Sequence, residues 1–232
     1  MTSIPLFLGD PHPCPYLSNL EARMAILPPD FPLTGQFYGA LVRSGFRRSG
    51  ELVYRTYCEG CKSCIPIRIP VQRFSPNRSQ RRAWKQNESL SVEAVPAVFN
   101  QEHYRLYLEY QTHRHPDGDM AKSSAEEFIR FLGNPRFDGT IFFEFRRAGL
   151  LVAVSVVDVL DDGFSAVYTF FEPAQQSRGL GVFAILWQIE EVRRRGGRSV
   201  YLGFWIQESK KMAYKSQYRP YEVLGLDGWE EG

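Results

Sequence analysis

No stretch of this chain stays apolar for long. The longest, Gly149 to Val157, stops at Asp158, far short of the ~20 residues that a bilayer-spanning helix needs. The opening MTSIPLFLGDPHP has neither a basic n-region nor a cleavable apolar core, so no secretory signal is expected. Histidine is scarce, with four in 232 residues. His12 lies in a Pro-rich loop and His113 and His115 at the end of an expected helix, none with a neighbour that suggests catalysis. G-x-S-x-G, a Walker loop and H-E-x-x-H are all missing, which removes serine-hydrolase, P-loop and zincin chemistry. Hydrophobic residues at 44%, aromatics at 14% and a net charge of +2 exclude disorder. They fit one large domain or two small ones.

The small net charge hides an uneven distribution. From Arg43 to Lys85 there are eleven basic residues against Glu51 and Glu59, a local +9, whereas the remainder of the chain is net acidic at −7. A solvated basic surface would account for such a run, but a segment this lopsided in a near-neutral protein is the footprint expected for a polyanion. Three of the four cysteines fall in the same segment.

Hydrophobic periodicity predicts the elements. A short strand is expected around Ala22–Leu27, then a helix from about Thr34 with Phe37, Leu41 and Val42 on one face and Gly45 to close it. Leu52–Tyr57 and Ile65–Phe74 flank a Cys-rich turn and read as a hairpin. Ser75-Pro76 reads as the N-cap and first position of a helix over Asn77–Gln86. That helix carries Arg78, Arg81, Arg82 and Lys85 at spacings of three and four, hence on one face. A strand at Leu90–Val95, a helix at Gln101–His113 and a second helix opened by the capping box Ser124-x-x-Glu127 follow. Three strands at Thr140–Arg146, Leu150–Leu160 and Phe164–Phe171 are joined by turns at 147–149 and 161–163 fit for tight hairpins. A long helix (Gly179–Arg195), a strand (Val200–Trp205), a helix (Glu208–Ser216) and a strand (Tyr221–Leu226) complete the chain. The expected division is a basic, Cys-containing α+β region over 1–88 and a larger α+β domain over 89–232.

Three constellations carry chemistry. Cys58-x-x-Cys61-x-x-Cys64 has metal-ligand spacing, and Cys14 completes a set of four if the N-terminal loop folds back. Four thiolates suit structural zinc or an iron–sulfur cluster, with buried free thiols or a redox pair as the alternatives. The loop Gln176-Ser177-Arg178-Gly179-Leu180-Gly181 enters the long helix, where glycines and free N–H groups suit a phosphate. The last predicted helix bears Tyr214 among Lys210, Lys211, Lys215 and Arg219, a second basic cluster suited to a carboxylate or phosphate.

The order β-α-α-β-β-β-α-β-α-β in the second half resembles the GNAT N-acyltransferase fold, and the Gln176–Gly181 loop is similar to the phosphate loop of that fold. By that resemblance Tyr214 falls where a proton donor to the leaving group often stands. Four motifs in order go further: Leu41-Val42-Arg43-Ser44-Gly45-Phe46-Arg47-Arg48-Ser49-Gly50, the Cys58–Cys64 turn, Asn77-Arg78-Ser79-Gln80-Arg81-Arg82, and Lys211 through Pro220. Together they resemble the aminoacyl-tRNA–protein transferases across nearly the whole chain. Length and Cys pattern are nearest to the bacterial members that use leucyl-tRNA. Eukaryotic relatives, which use arginyl-tRNA, carry a Cys-x-x-Cys near the start and an adjacent Cys pair later. Here Cys14 stands alone and a triplet follows.

The resemblance implies an enzyme that moves leucine from leucyl-tRNA onto the N-terminal Asp or Glu of a protein, marking it for proteolysis, with no cofactor required for transfer. It implies tRNA contacts at Arg78, Arg81, Arg82, Lys85, Gln176, Arg178, Gly179 and Gly181. Acceptor contacts would lie at Lys210, Lys211, Lys215 and Arg219. The leaving oxygen would be protonated by Tyr214, and Asp158 and Glu172 are the candidates for taking the amine proton, against a fold-stabilising role for both carboxylates. Arginyl-tRNA as donor, a coenzyme A-dependent N-acetyltransferase, and a metal-stabilised RNA-binding module without catalysis are the alternatives. The acetyltransferase leaves the +9 segment and the cysteines unexplained, and the binding module leaves the second half idle.

Overall fold

A computed structural model describes residues 4–114, 118–133 and 136–232; His115 lies outside them. The N-terminal part is a small four-stranded sheet, β1 (Phe7–Leu8), β4 (Met24–Ile26), β6 (Leu52–Thr56) and β5 (Arg47–Ser49) in that order, with a two-stranded ribbon of β2 (His12–Pro13) and β3 (Glu21–Ala22) beside it. Helix α1 (Gly35–Arg43) is opened by Thr34, whose side chain accepts from the Phe37 N–H. Its buried Tyr38, Leu41 and Val42 pack with Leu27, Val53 and Leu160, joining the two parts of the molecule.

The second half forms β8 (Ser91–Pro96), α3 (Gln101–Arg114), α4 (Ala125–Leu132), β9 (Thr140–Arg147), β10 (Leu150–Leu160), β11 (Gly163–Phe171), α5 (Leu180–Arg194), β12 (Ser199–Trp205), β13 (Glu222–Leu224) and β14 (Trp229–Glu231). The sheet order is β14-β13-β7-β12-β11-β10-β9-β8, where β7 is Ile65–Pro70. The elements over 89–232 follow the α+β order expected from the sequence up to β12, but β7 joins the sheet and no α-helix forms between β12 and β13. Alternation along the strands separates two cores. Phe143, Phe145, Ala153 and Val157 face α5, while Phe142, Val154 and Val156 face α3 and α4.

Strand β7 comes from the N-terminal side of position 88 yet lies inside the large sheet, so the sheet itself draws no line at 88/89. The expected hairpin across the cysteines is not formed. Strand β6 pairs with β4 and β5 on its two edges, and β7 pairs with β12 and β13. Both edges of β6 are occupied, and Ile67 and Ile69 gain full burial only in the larger core. The helix α2 (Arg78–Asn87) starts on Asn77, not Ser75. The Asn77 side chain accepts from the Gln80 N–H at 3.0 Å, and Gln80 Oε1 accepts from the Asn77 N–H at 2.9 Å. This reciprocal pair satisfies two end donors where Ser75 would satisfy one. In place of a helix over Glu208–Ser216 there is one 3-10 turn, Ala213–Gln217.

Candidate transfer site

Among the described residues the one parallel pair in the large sheet is β11 with β12, laddered from Gly163–Ser165 against Ser199–Tyr201. Both strands continue, to Phe171 and Trp205, without a ladder between them. A bulge between Tyr201 and Gly203 helps to part them. The opening therefore faces the carboxyl ends of two parallel strands, where α/β sheets take their ligands.

Two segments line this end. After β11 comes the 3-10 turn Pro173–Arg178, and Gly179, in the left-handed conformation at φ 67°, hands the chain to α5. No side chain caps α5, so its first N–H groups are left for an anion. After β12 comes the turn bearing Tyr214. Tyr214 is 41% exposed; its hydroxyl end lies inward, where burial and the neighbouring Tyr110 raise its pKa and Arg47 opposes them. Tyr110 meets Phe171 edge to face, ring centroids 5.0 Å apart, and a Cβ on Gly181 would meet the same Phe171 ring at 3.4 Å. The Gly179 loop and Tyr214 are thus linked across the opening through α3 and the end of β11.

Helix α2 ties the two segments together. Gln80, near its start, donates through Nε2 to the Gln217 carbonyl at 3.1 Å. Asn87, at its end, donates to the Arg178 carbonyl at 2.9 Å and accepts from Arg178 Nε at 3.1 Å. Ala83 and Trp84 pack against Gly179 and Phe183. The opposite face exposes Arg78, Arg81, Arg82 and Lys85. Arg81 bonds the Pro76 carbonyl, and none of the four enters an ion pair among the described residues.

The sequence-predicted residues divide. Gly179, Gly181, Gln176 and Tyr214 lie at the opening, with α2's basic stripe beside it. The Arg178 guanidinium is committed to Asn87 and the Gln86 carbonyl, so it holds α2 in place instead of facing a ligand. Lys210, Lys211 and Arg219 are exposed, and Arg219 rests over the Tyr221 ring. Lys215 departs from the expected surface cluster. It is 7% exposed, and Nζ donates to the Phe204 carbonyl at 2.7 Å. Burial, with Arg47 nearby, pushes its pKa down from 10.5 to about 7.

The two carboxylate candidates also part. Asp158 is fully buried and saturated: Arg48 grips it through Nε at 2.7 Å and Nη2 at 2.8 Å, and Tyr38 and Thr140 hydroxyls each donate at 2.7 Å. It has no lone pair to offer an amine, and its work is to bolt β5 to β10. Glu172 follows β11 directly and caps the next turn, accepting from the Ala174 N–H at 3.0 Å.

The four cysteines do gather. All line one small pocket with Tyr16, Tyr54 and Phe204. Burial and the other three thiols push Cys64 up to about 11, while Cys58 Sγ accepts from the Arg23 N–H at 3.4 Å. Yet among the described residues no three His, Cys, Asp or Glu side chains close on a common point as metal ligands do. As arranged, the set fits free thiols and not a preformed zinc or cluster site.

Sequence reasoning missed Arg47, which sits at the floor of the opening. Alternation along β5 sends Arg48 to Asp158 and Arg47 the other way. Its Nη2 donates to the Ala166 carbonyl at 3.0 Å, and a Cβ on Gly203 (φ 81°) would fall 2.1 Å from Nη1. The readable signal was two adjacent arginines in a short strand, which must place charge on both faces.

Residues 12–82 match the family described as "Arginine-tRNA-protein transferase, N terminus", and residues 102–225 match "Arginine-tRNA-protein transferase, C terminus". The chain belongs to the arginine-tRNA–protein transferase family. Among similar members of this transferase family are proteins named aspartate/glutamate leucyltransferase. That of Pseudomonas paraeruginosa (strain DSM 24068 / PA7) is 46% identical over 99% of this chain and 97% of its own. That of Chromobacterium violaceum is 44% identical over 99% of this chain and 95% of its own. In fold the transferase is similar to L-PGS from Bacillus licheniformis, at a TM-score of 0.53 and 10% identity, covering 70% of this chain and 59% of that one. Among the described residues no helix is long and apolar enough to cross a membrane.

Proposed function

We propose that the protein transfers leucine from leucyl-tRNA to the α-amine of proteins beginning with Asp or Glu, in the cytoplasm, as a step that commits them to proteolysis. The observation that carries this reading is the position of α2. It straddles the open end of the β11–β12 pair, fixed to Gln217 at one end and Arg178 at the other, with four outward cations that enter no ion pair among the described residues. A tRNA backbone held on that stripe delivers its 3′ end to the opening, where Gly179 and the first N–H groups of α5 take the terminal phosphates in place of those of coenzyme A.

The chemistry asked of the site is modest. A free α-amine titrates near ~8, so a sizeable neutral fraction exists at neutral pH. Its nitrogen attacks the ester carbonyl, the carbon–oxygen bond to the ribose breaks, and the amine proton leaves as the ribose oxygen takes one up. Tyr214 donates to that oxygen, and Glu172 is the carboxylate placed near the loop for the amine proton. Amine attack on an ester is downhill, so positioning and charge stabilisation supply most of the rate, and no cofactor enters.

The test is an incubation of the protein with leucyl-tRNA or arginyl-tRNA and peptides beginning with Asp, Glu or Ala. Leucine on the acidic peptides alone supports the reading. Arginine in its place would change the donor, tRNA-independent acetylation from acetyl-CoA would overturn the reaction, and RNA binding without transfer would overturn catalysis.

A further inference from the structure

Arg47 is a cation set in the sheet without a counter-ion. Of its two terminal nitrogens, Nη2 donates to Ala166 and Nη1 is buried with no hydrogen-bond partner. Among the described residues it enters no ion pair. Around it stand Tyr16, Tyr54, Tyr214 and Lys215, each of which feels its charge. The groups acting on Lys215 are Arg47 and Cys64, neither a carboxylate. A half-buried guanidinium whose spare N–H is shut away from water, with a second basic nitrogen beside it, is unfavourable until an anion arrives. Its neighbour in sequence shows the contrast, since Arg48 has a carboxylate held bidentately.

The place is made for this side chain. Gly203 is the one residue type that leaves the guanidinium room, and the parted strands β11 and β12 hold its two sides. The reaction brings one anion to this opening besides the tRNA: the side chain of the acceptor's first residue. We propose that Arg47 is the receptor for that carboxylate, its Nη1 N–H reserved between β11 and β12 for Asp or Glu at the acceptor N-terminus. This rests on the leucyl-transfer reading and adds the source of its acceptor specificity. A planar fork suits a carboxylate and not the isosteric amide, whose NH2 would face another donor. Tyr214, the exposed member of the set, borders the way in for the acceptor. Once bound, the acceptor's α-amine stands one side chain's length from the floor, on the side from which the leucyl ester would enter past Gly179.

The experiment compares kcat/KM for peptides beginning with Glu and Gln, and with Asp and Asn, in the wild type, Arg47→Lys and Arg47→Met. The wild type is expected to favour the acid over its amide by about 100-fold or more, as expected for a buried charge pair, and both variants to lose most of that ratio. Each ratio is internal to one preparation, so it is independent of the fraction folded. Leucyl-tRNA affinity is expected to stay unchanged in both. Equal losses on acid and amide peptides would place Arg47 on the ester carbonyl and overturn the proposal, as would an intact ratio. No leucyl transfer by the wild type would instead refute the reaction. If both variants fail to fold, a wild-type crystal structure with a glutamyl dipeptide decides. The side-chain carboxylate on Arg47 Nη1 supports the assignment, and its placement elsewhere overturns it.

Discussion

Replacing Lys215 by Met is expected to stabilise the protein at neutral and acidic pH and to do so less as the pH rises. A pKa lowered from 10.5 to about 7 means that folding disfavours the ammonium by about 5 kcal/mol, at ~1.4 kcal/mol per tenfold. Lys215 is 7% exposed, and the groups facing it are the Arg47 guanidinium and the Cys64 thiol. Between pH 7 and 10.5 the unfolded chain holds a proton that the folded chain lacks, so wild-type stability rises by about 1.4 kcal/mol per pH unit. Below pH 7 both states are protonated and the folded state bears the whole penalty. Methionine fills a similar volume without the charge, but it leaves the Phe204 carbonyl without its donor, at about 1.5 kcal/mol. The net gain is about 3 kcal/mol at pH 6 and falls to near zero by pH 9. Urea melts of both proteins at pH 6, 7, 8 and 9 measure it. A difference that stays constant across that range would refute the reasoning.

Three other outcomes follow from the same geometry. Asp158→Asn breaks the buried pair with Arg48 and is expected to destabilise by about 3–5 kcal/mol; a normal melting temperature with a lost kcat would instead make it a base. Arg81→Ala combined with Arg82→Ala should weaken tRNA binding and flatten its dependence on salt. An unchanged slope would remove α2 from the tRNA surface. Cys58→Ser should leave the melting temperature within a few degrees, because the four thiols do not close on one point; stoichiometric zinc or iron in freshly purified protein would contradict that.

Much of the second half could be read in the sequence because its signals are local. Leu150–Leu160 and its flanking turns, the capping box at Ser124 and the basic face of α2 each lie within one element, where periodicity and end chemistry decide. The errors have a common source in competition between distant partners. Ile65–Pro70 looks like the return strand of a hairpin, but the large sheet offers Ile67 and Ile69 deeper burial than β6 can. Asp158 reads as a carboxylate beside a loop, and only the arrival of Arg48 from 110 positions away turns it into a structural bolt. Lys215 belongs to a visible basic cluster, yet the turn that carries it points it inward to Phe204. Arg47 was in a quoted motif, but its value depends on the gap between β11 and β12, which no local pattern announces.

Leucyl transfer at this site requires the loaded 3′ end of the tRNA to enter between the Gly179 loop and the Tyr214 turn. Leucyl-tRNA carrying a photoreactive 3′-terminal adenosine, irradiated on the protein and mapped by peptide mass spectrometry, tests it directly. Cross-links within 173–181 and 213–219, lost when unlabelled leucyl-tRNA competes, are the predicted result. Competable cross-links confined to α4 and β8, at the far edge of the sheet, would contradict it.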